Sequence, residues 1–306
     1  MVRFSAIGDC VMTAWAGTAM RQILPDAEIV WACQDTCHPV IDNEQLTNQV
    51  VVADQSAWRN ARWSPKTWQA QMRGYLGLRK HHFHVGFDFQ GHSKTALCLK
   101  LSGAKSRFAS RGTDGFASKL NHIVECGAGK LHEVEVGLNL VKHAYPDAKL
   151  PELPYMPPLE EVQQYDVTIQ TGAGEERKQV KIGTWEAVAR ELVKQGKTVA
   201  VLGAPGDPAC DAPGVENLVG KKSLAETMNL VGQSKMHLSA DTGTGHIASA
   251  YDVPTVTVFG HNLPKRFRPY GLKNLSLRKT GDPNEFTAQE IIAATLEHWE
   301  CLECES

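Results

Sequence analysis

The fold is decided by the stretch LSADTGTGHIASA at residues 238–250, together with the apolar run PTVTVF at residues 254–259. An apolar segment ends at Ser239, and a short polar turn leads to a small-residue helix that begins near Thr244. The β-branched run that follows predicts a second strand. A strand, a tight turn, a helix and another strand form the repeating unit of parallel-sheet α/β proteins.

The turn between this strand and helix suits a phosphate group. The first N–H groups of a helix lack backbone partners and carry partial positive charge. Gly243 permits a close approach of the backbone, Thr242 and Thr244 add hydroxyl groups, and Asp241 and His246 flank them. The pattern alone leaves a second interpretation open, in which a Thr or Asp caps the helix and the histidine packs in the core.

Length and composition exclude several classes of protein. A chain of 306 residues is long enough for one large or two medium α/β domains. The net charge of -2 lacks the basic excess of polyanion-binding proteins, so we expect no nucleic-acid partner. No run of about 18 apolar residues occurs, which predicts no transmembrane segment. The eight cysteines are scattered, which suits a reducing cytoplasm. Cys301 and Cys304 stand alone at the end of the chain and provide too few ligands for a metal site.

Alternating strands and helices occur in two runs, on either side of a proline-rich stretch. Four prolines crowd residues 150–159, where neither a helix nor a central strand can continue. We therefore predict an N-terminal domain over 1–160 and a C-terminal domain over 161–306, each with its own α/β sheet.

The first residues of the chain predict another strand–turn–helix unit. Val2 to Ile7 is predicted as a strand, Gly8 and Asp9 as the turn, and Val11 to Leu24 as a helix. The absence of G-x-G-x-x-G after this strand disfavours a dinucleotide-binding dehydrogenase. Asp9 is expected at the carboxyl end of the strand, where open α/β sheets bind ligands, and is the candidate general base. The alternative is that Asp9 is only the N-cap of the helix.

Residues 55–85 contain no Asp or Glu and interleave basic with aromatic side chains. This composition suits an anionic membrane surface or a phosphorylated acceptor, with Arg62 and Arg73 as candidate contacts. The alternative is a solvated helix whose tryptophans pack on the N-terminal core.

Spaced motifs along most of the chain resemble those of glycosyltransferase family 9, the ADP-heptose:lipopolysaccharide heptosyltransferases. In chain order they are S-x-I-G-D-x-x-x-T from Ser5 to Thr13, D-F-Q-G from Asp88 to Gly91, Lys221-Lys222-Ser223-Leu224, D-T-G-x-x-H-I-A-S-A from Asp241 to Ala250, and Pro269-Tyr270-Gly271. Each motif is short, and their common order makes the resemblance specific.

The resemblance implies a GT-B fold, in which two Rossmann-like domains face each other across a cleft. A closing helix at about 286–300 is expected to pack back on the N-terminal domain. The implied reaction is inverting, metal-independent transfer of heptose from ADP-heptose to a lipopolysaccharide-core or related glycan or glycolipid acceptor. The nucleotide sugar is a substrate, so we expect no cofactor. The enzyme is expected in the cytoplasm, either free or peripheral at the cytoplasmic face of the inner membrane.

The resemblance also assigns roles to residues. Asp9 is implied as the general base and Lys178 as the cation that neutralises the diphosphate. The family's K-x-W-P is degraded in this chain, so Lys181 remains an alternative to Lys178. The implied donor-binding residues are Thr171, Gly172, Lys181, Asp207, Asp241, Thr242, Gly243, Thr244 and His246. The implied acceptor-binding residues are Gly8, Asp88, Gln90, Lys94, Arg62 and Arg73.

Two other functions stay open. Another GT-B nucleotide-sugar enzyme, such as an epimerase, would convert its donor without any acceptor. A non-catalytic nucleotide-sugar-binding homologue would bind nucleotide without transfer, although a pure binder has no need of the carboxylate of Asp9.

Overall fold

Both halves of the chain form parallel β-sheets with helices between successive strands, which confirms the predicted α/β class. The computed structural model describes residues 1–53, 60–61 and 64–305. The chain divides into two units, Met1–Pro157 and Pro158–Ser306. The division lies within the proline-rich stretch, close to the boundary predicted at residue 160.

The described part of the N-terminal unit has parallel strands on both sides of a short central segment. The strands are β1 (Val30–Gln34), β2 (Gln49–Ala53), β3 (Val85–Asp88), β4 (Ser106–Ala109) and β5 (His122–Ile123). β1 pairs with β2, and β4 lies between β3 and β5. Val2 joins the two groups, because it bridges Ala32 on one side and Asp88 on the other.

The beginning of the chain differs from its prediction. Only Val2 of the expected strand forms a β-bridge, and helix α1 (Ile7–Ile23) begins earlier than predicted. Gly8 and Asp9 therefore lie in the first helical turn and not in a turn before it. The physical reason is Asp9 itself, whose carboxylate accepts the Ala6 N–H (3.0 Å) and closes the helix N-terminus.

Helix α1 forms the centre of the N-terminal unit. The other described helices of this unit are α2 (His38–Ile41), α3 (Pro65–Gly77), α4 (Ser93–Leu101), α5 (Ala117–Leu120) and α6 (Glu133–Ala144). Trp15 and Ala16 of α1 are buried, and α1 packs on α6. A Cβ atom added at Gly137 would lie 3.4 Å from the Ala16 Cβ, so small residues set the close approach of the two helices.

The C-terminal unit contains a six-stranded parallel sheet in the order β11-β10-β9-β6-β7-β8. Its strands are β6 (Val167–Gln170), β7 (Val199–Leu202), β8 (Val215–Asn217), β9 (Met236–Ala240), β10 (Thr255–Phe259) and β11 (Asn274–Arg278). The strand order reverses between β6 and β9. In doubly wound sheets ligands bind at the carboxyl ends of the strands at such a reversal.

The helices of this unit are α7 (Ile182–Lys194), α8 (Leu224–Gly232), α9 (Gly243–Ala250), α10 (Pro264–Phe267) and α11 (Ala288–Glu305). The closing helix α11 packs on α7, and its Ile291 is fully buried in the core of its own unit. Its expected packing on the N-terminal domain stays a prediction. None of the helices within the described ranges is both long and apolar enough to span a bilayer.

Candidate active site

Asp9 is paired with a buried arginine in the N-terminal unit. Its Oδ1 lies 2.7 Å from Nη2 of Arg3, and its side chain is 28% exposed. Arg3 also donates to the carbonyl oxygens of Phe89 (2.6 Å) and Ser5 (3.1 Å), so the backbone holds the guanidinium in place. Burial by itself would lower the pKa of Arg3, but the Asp9 carboxylate raises it above its ordinary value. Asp9 is thus an oriented carboxylate that a ligand can still reach.

A small pocket lies beside Asp9 within the N-terminal unit. Its polar lining residues are Arg3, Asp9, Thr13, Ser110, Arg111 and Glu133. Arg111 and Glu133 form an ion pair in this lining. Such a set of cations and carboxylates suits a ligand rich in hydroxyl or phosphate groups. Sequence reasoning missed Arg3 and Arg111, although the position of Arg111 directly after β4 was an available signal.

The buried carboxylate of Asp88 holds the loop after β3 in place through hydrogen bonds. Asp88 is fully buried, and its Oδ1 accepts the N–H groups of Gln90 (3.0 Å) and Gly91 (2.9 Å) while its Oδ2 accepts the Thr95 hydroxyl (3.0 Å). Burial raises the pKa of Asp88 to about 6, although these hydrogen bonds act to lower it. Its carboxylate is buried and bonded internally, and its predicted contact with sugar hydroxyls stays a prediction.

Gln90 and Gly8 shape the backbone around Asp9. The Oε1 atom of Gln90 accepts the N–H groups of Phe4 (2.9 Å) and Ser5 (3.4 Å), which precede Asp9 in the chain. Gly8 is buried in the first turn of α1. A direct contact of either residue with an acceptor stays a prediction.

Three of the acceptor candidates are basic residues. Lys94 is exposed in the first turn of α4, and Arg73 is exposed on α3. Arg62 lies outside the described residues. The acceptor roles of all three stay predictions.

In the C-terminal unit, Lys178 and Asp241 meet where the strand order reverses. Lys178 Nζ lies 2.9 Å from Oδ2 of Asp241, which directly follows β9 and is 6% exposed. Asn262, which sequence reasoning missed, donates its Nδ2–H to the same carboxylate oxygen (2.5 Å). Glu175 pairs with Arg177 (2.6 Å) at an exposed position. The site therefore presents a partly exposed ammonium group at the start of α9.

Lys181 lies apart from that arrangement. It is the exposed N-cap of α7, and its backbone N–H donates to Oδ1 of Asn284 (2.9 Å). The geometry thus brings Lys178 to the carboxylate of Asp241 and gives Lys181 a place at a different helix end.

The loops after β6 and β7 interlock. The Thr171 hydroxyl is buried and donates to the Pro208 carbonyl oxygen (2.7 Å), and its donor-binding role stays a prediction. A Cβ atom at Gly172 would lie 1.8 Å from Oδ2 of Asp207, which explains the glycine. Asp207 Oδ2 accepts the Ala204 N–H (2.7 Å), and its donor-binding role stays a prediction.

Helix α9 begins at Gly243 with Thr242 as its N-cap residue, but the Thr242 side chain does not cap it. The interpretation that this threonine serves as a helix cap is therefore wrong. Thr244 and His246 are buried in the helix. The first N–H groups of α9 lie next to Asp241, as the sequence predicted for a phosphate-binding turn.

The family model described as glycosyltransferase family 9 (heptosyltransferase) matches residues 75–293. The chain belongs to glycosyltransferase family 9. This family member is 24% identical over 297 residues to lipopolysaccharide heptosyltransferase 1 of Pseudomonas aeruginosa, and the match covers 90% of the chain and 82% of that protein.

Two solved structures extend the similarity to the fold. The family 9 chain matches E. coli heptosyltransferase WaaC with ADP-2-deoxy-2-fluoro heptose at a TM-score of 0.82 and 20% identity, over 97% of this chain and 98% of that one. It matches TibC, a dodecameric iron-containing glycosyltransferase from enterotoxigenic E. coli, at 0.62 and 14% identity, over 99% and 78%. The predicted family, GT-B fold class and glycosyltransferase assignment are confirmed.

A metal site would need several His, Cys, Asp or Glu side chains of this family 9 enzyme close together. Across residues 1–53, 60–61 and 64–305, no group of three or more His, Cys, Asp or Glu side chains is arranged to hold a metal ion. Cys301 and Cys304 are exposed on α11. Metal independence stays a prediction.

Proposed function

We propose that this family 9 glycosyltransferase transfers heptose from ADP-heptose to a lipopolysaccharide-core or related glycan or glycolipid acceptor. The proposed binding of the nucleotide-sugar donor rests on the Lys178–Asp241 pair at the start of α9, where the strand order of the sheet reverses. The relatives support the sugar: two curated relatives are named lipopolysaccharide heptosyltransferase 1, and the WaaC structure holds ADP-2-deoxy-2-fluoro heptose.

In the proposed reaction Asp9 is the general base. It takes the proton of the acceptor hydroxyl while that oxygen forms a bond to the anomeric carbon of the donor. The bond between this carbon and the diphosphate oxygen breaks, and ADP leaves with the electron pair. A single displacement inverts the anomeric configuration, through an oxocarbenium-like state comparable to that of glycosidases.

The leaving diphosphate is stabilised by Lys178 and by the N–H groups at the start of α9. Lys178 acts as a point charge on the phosphate oxygens, and the helix N-terminus adds a fixed partial positive charge. The Asp241 carboxylate positions this ammonium group, and Asn262 donates to the same carboxylate oxygen. A cation held in place by the protein reduces the reorganisation needed during the reaction.

The acceptor is proposed to bind the N-terminal unit beside Asp9. The pocket lined by Arg3 and Arg111 provides cations for a phosphorylated or hydroxyl-rich glycan. The exposed Lys94 and Arg73 add positive charge on α4 and α3. We assign the enzyme to the cytoplasm, with a glycolipid acceptor reached at the cytoplasmic face of the inner membrane, and without a cofactor or metal.

The test is transfer by the purified protein, supplied with ADP-heptose and a heptose-free core glycolipid and followed by mass spectrometry of the product. Asp9→Asn is expected to lower kcat by about 10²- to 10⁴-fold, the usual size of a general-base effect. Asp26→Asn is the matched control, because Asp26 is an exposed carboxylate beyond the other end of α1.

Three outcomes would contradict the proposal in different ways. Transfer from a UDP- or GDP-sugar but not from ADP-heptose would overturn the donor assignment. Conversion of ADP-heptose without an acceptor would identify an epimerase-type enzyme. Unchanged kcat in Asp9→Asn would remove Asp9 from the role of base.

A further inference from the structure

A buried histidine lies beneath the proposed donor site. His237 of β9 is fully buried and faces Thr168 on the neighbouring strand β6. Its Nδ1 lies 2.9 Å from the Thr168 hydroxyl oxygen, and its Nε2 lies 3.0 Å from the Thr244 hydroxyl oxygen in the first turn of α9. Two further hydroxyls continue this row, Ser234 beyond Thr168 (3.1 Å) and Thr242 beyond Thr244 (3.0 Å).

Assigning the Ser234 proton to the Val231 carbonyl oxygen fixes the direction of every other hydrogen bond in this row. The Ser234 hydroxyl donates to the Val231 carbonyl oxygen (2.9 Å), which can only accept. A hydroxyl carries one proton, so Ser234 must accept from Thr168. Thr168 has then used its own proton, and it must accept from the Nδ1–H of His237.

The same count continues to the edge of the donor site. Burial lowers the pKa of His237 to about 3, so the ring is neutral and carries one proton. With that proton on Nδ1, the Nε2 atom is an acceptor and the Thr244 hydroxyl must donate to it. Thr244 therefore accepts from Thr242. Both hydroxyl protons of the turn point into the protein.

We propose that His237 is a positioning residue of the donor site, which directs the hydroxyl protons of Thr244 and Thr242 inward. The bound diphosphate then receives its hydrogen bonds from the N–H groups of α9 and from Lys178, and not from the two threonine hydroxyls. The Thr242 oxygen is left as an acceptor, which suits a hydroxyl of the transferred sugar, a group that ADP lacks, and not a phosphate oxygen. This inference rests on the proposed function for the identity of the ligand, but not for the proton count.

The ring of His237 can be examined without any ligand. Two-bond ¹H–¹⁵N correlation spectra of ¹⁵N-histidine-labelled protein distinguish the two neutral tautomers and the protonated ring, and His237→Asn identifies the signals. The Nδ1–H tautomer, unchanged from pH 8 to pH 5.5, is the expected result. An Nε2–H tautomer or a protonated ring in this range would overturn the inference.

A double-mutant cycle tests the consequence for binding, with the ADP dissociation constant measured by calorimetry. His237→Asn keeps an N–H donor toward Thr168 and removes the acceptor for Thr244, so the Thr244 proton turns to Thr242 and frees the Thr242 proton for the ligand. Thr242→Val is close in shape, and it removes no helix cap because this side chain does not cap α9.

Thr242→Val is expected to change ADP affinity less than about 2-fold in the wild-type background and to weaken it about 10-fold in the His237→Asn background, the size of one hydrogen bond to a charged group. A 10-fold loss in the wild-type background would overturn the inference, and so would no loss in either background. Thermal melting of each variant separates these effects from misfolding. If the wild-type protein does not bind ADP, the proposed donor is wrong, while the tautomer still decides the proton direction.

Discussion

Acidification is expected to destabilise the C-terminal unit through His237, by an amount that follows from its burial. The ring titrates near pH 3 in the folded protein and near its ordinary value of 6.5 in the unfolded chain. Between these values the unfolded chain binds a proton that the native state does not, so the free energy of unfolding falls as the pH falls. At pH 5.0, 1.5 units below the unfolded pKa, the loss is about 2 kcal/mol, since each unit corresponds to about 1.4 kcal/mol.

Other buried groups titrate in the same range and must be removed from the comparison. Burial lowers the pKa of the Met1 amine to about 6, so this group also weakens the fold in acid. Asp88 acts in the opposite direction, because burial raises its pKa to about 6 and the folded state binds its proton more readily. Both contributions cancel when wild type is compared with a His237 variant at the same two pH values.

The assay is urea denaturation of wild type and His237→Asn at pH 7.5 and pH 5.0. At pH 7.5 the variant is expected to be about 1–3 kcal/mol less stable, because the Thr244 hydroxyl loses its buried acceptor. On going to pH 5.0, wild type should lose about 2 kcal/mol more than the variant, so the two stabilities approach each other. Equal losses in the two proteins would refute the reasoning, since they would mean that the ring is protonated or solvated in the folded state.

Three further predictions concern the donor site. Gly172→Ala should lower the free energy of unfolding by about 1–3 kcal/mol in thermal or urea denaturation, because its Cβ would overlap the carboxylate of Asp207. Gly174→Ala is the control, because the space around Gly174 is open. Equal losses of stability in the two variants would contradict the packing argument. Lys178→Met should raise the Kd for ADP by about 10-fold or more in calorimetry, the effect of losing a charge-assisted contact, whereas Lys181→Met should leave it nearly unchanged; the reverse order would assign the diphosphate to Lys181. Transfer should continue at the full rate in excess EDTA, as measured by ADP release, and an absolute requirement for Mg²⁺, Mn²⁺ or iron would overturn metal independence.

The sequence predicted most elements of the fold but misplaced the start of the first helix. The strand at 254–259 and the helix that begins near Thr244 are predictable because their sequence patterns are local. At the N-terminus the same pattern failed. Only Val2 of the expected strand forms β-bridges, one on each side, and Asp9 closes a helix that begins at Ile7.

The candidate site was predictable in part. The D-T-G turn was identified from residue type and spacing, and Lys178 from the family resemblance; the structure places Lys178 against Asp241. Arg3, Arg111 and Asn262 were missed, because their roles depend on partners distant in the chain and no short motif contains them.

The α/β class, the two-part organisation and the family could be predicted from the sequence alone. Strand–turn–helix units and the family motifs depend on residues that are close together in the chain. The tertiary structure alone shows how far each polar side chain is exposed. Asp9 is 28% exposed, whereas Asp88, Thr171 and Asp241 are buried and bonded internally. The physical reason is that partners on other strands set the exposure of a side chain and the direction of its hydrogen bonds. Thr168 on β6, for example, is the partner of His237 on β9.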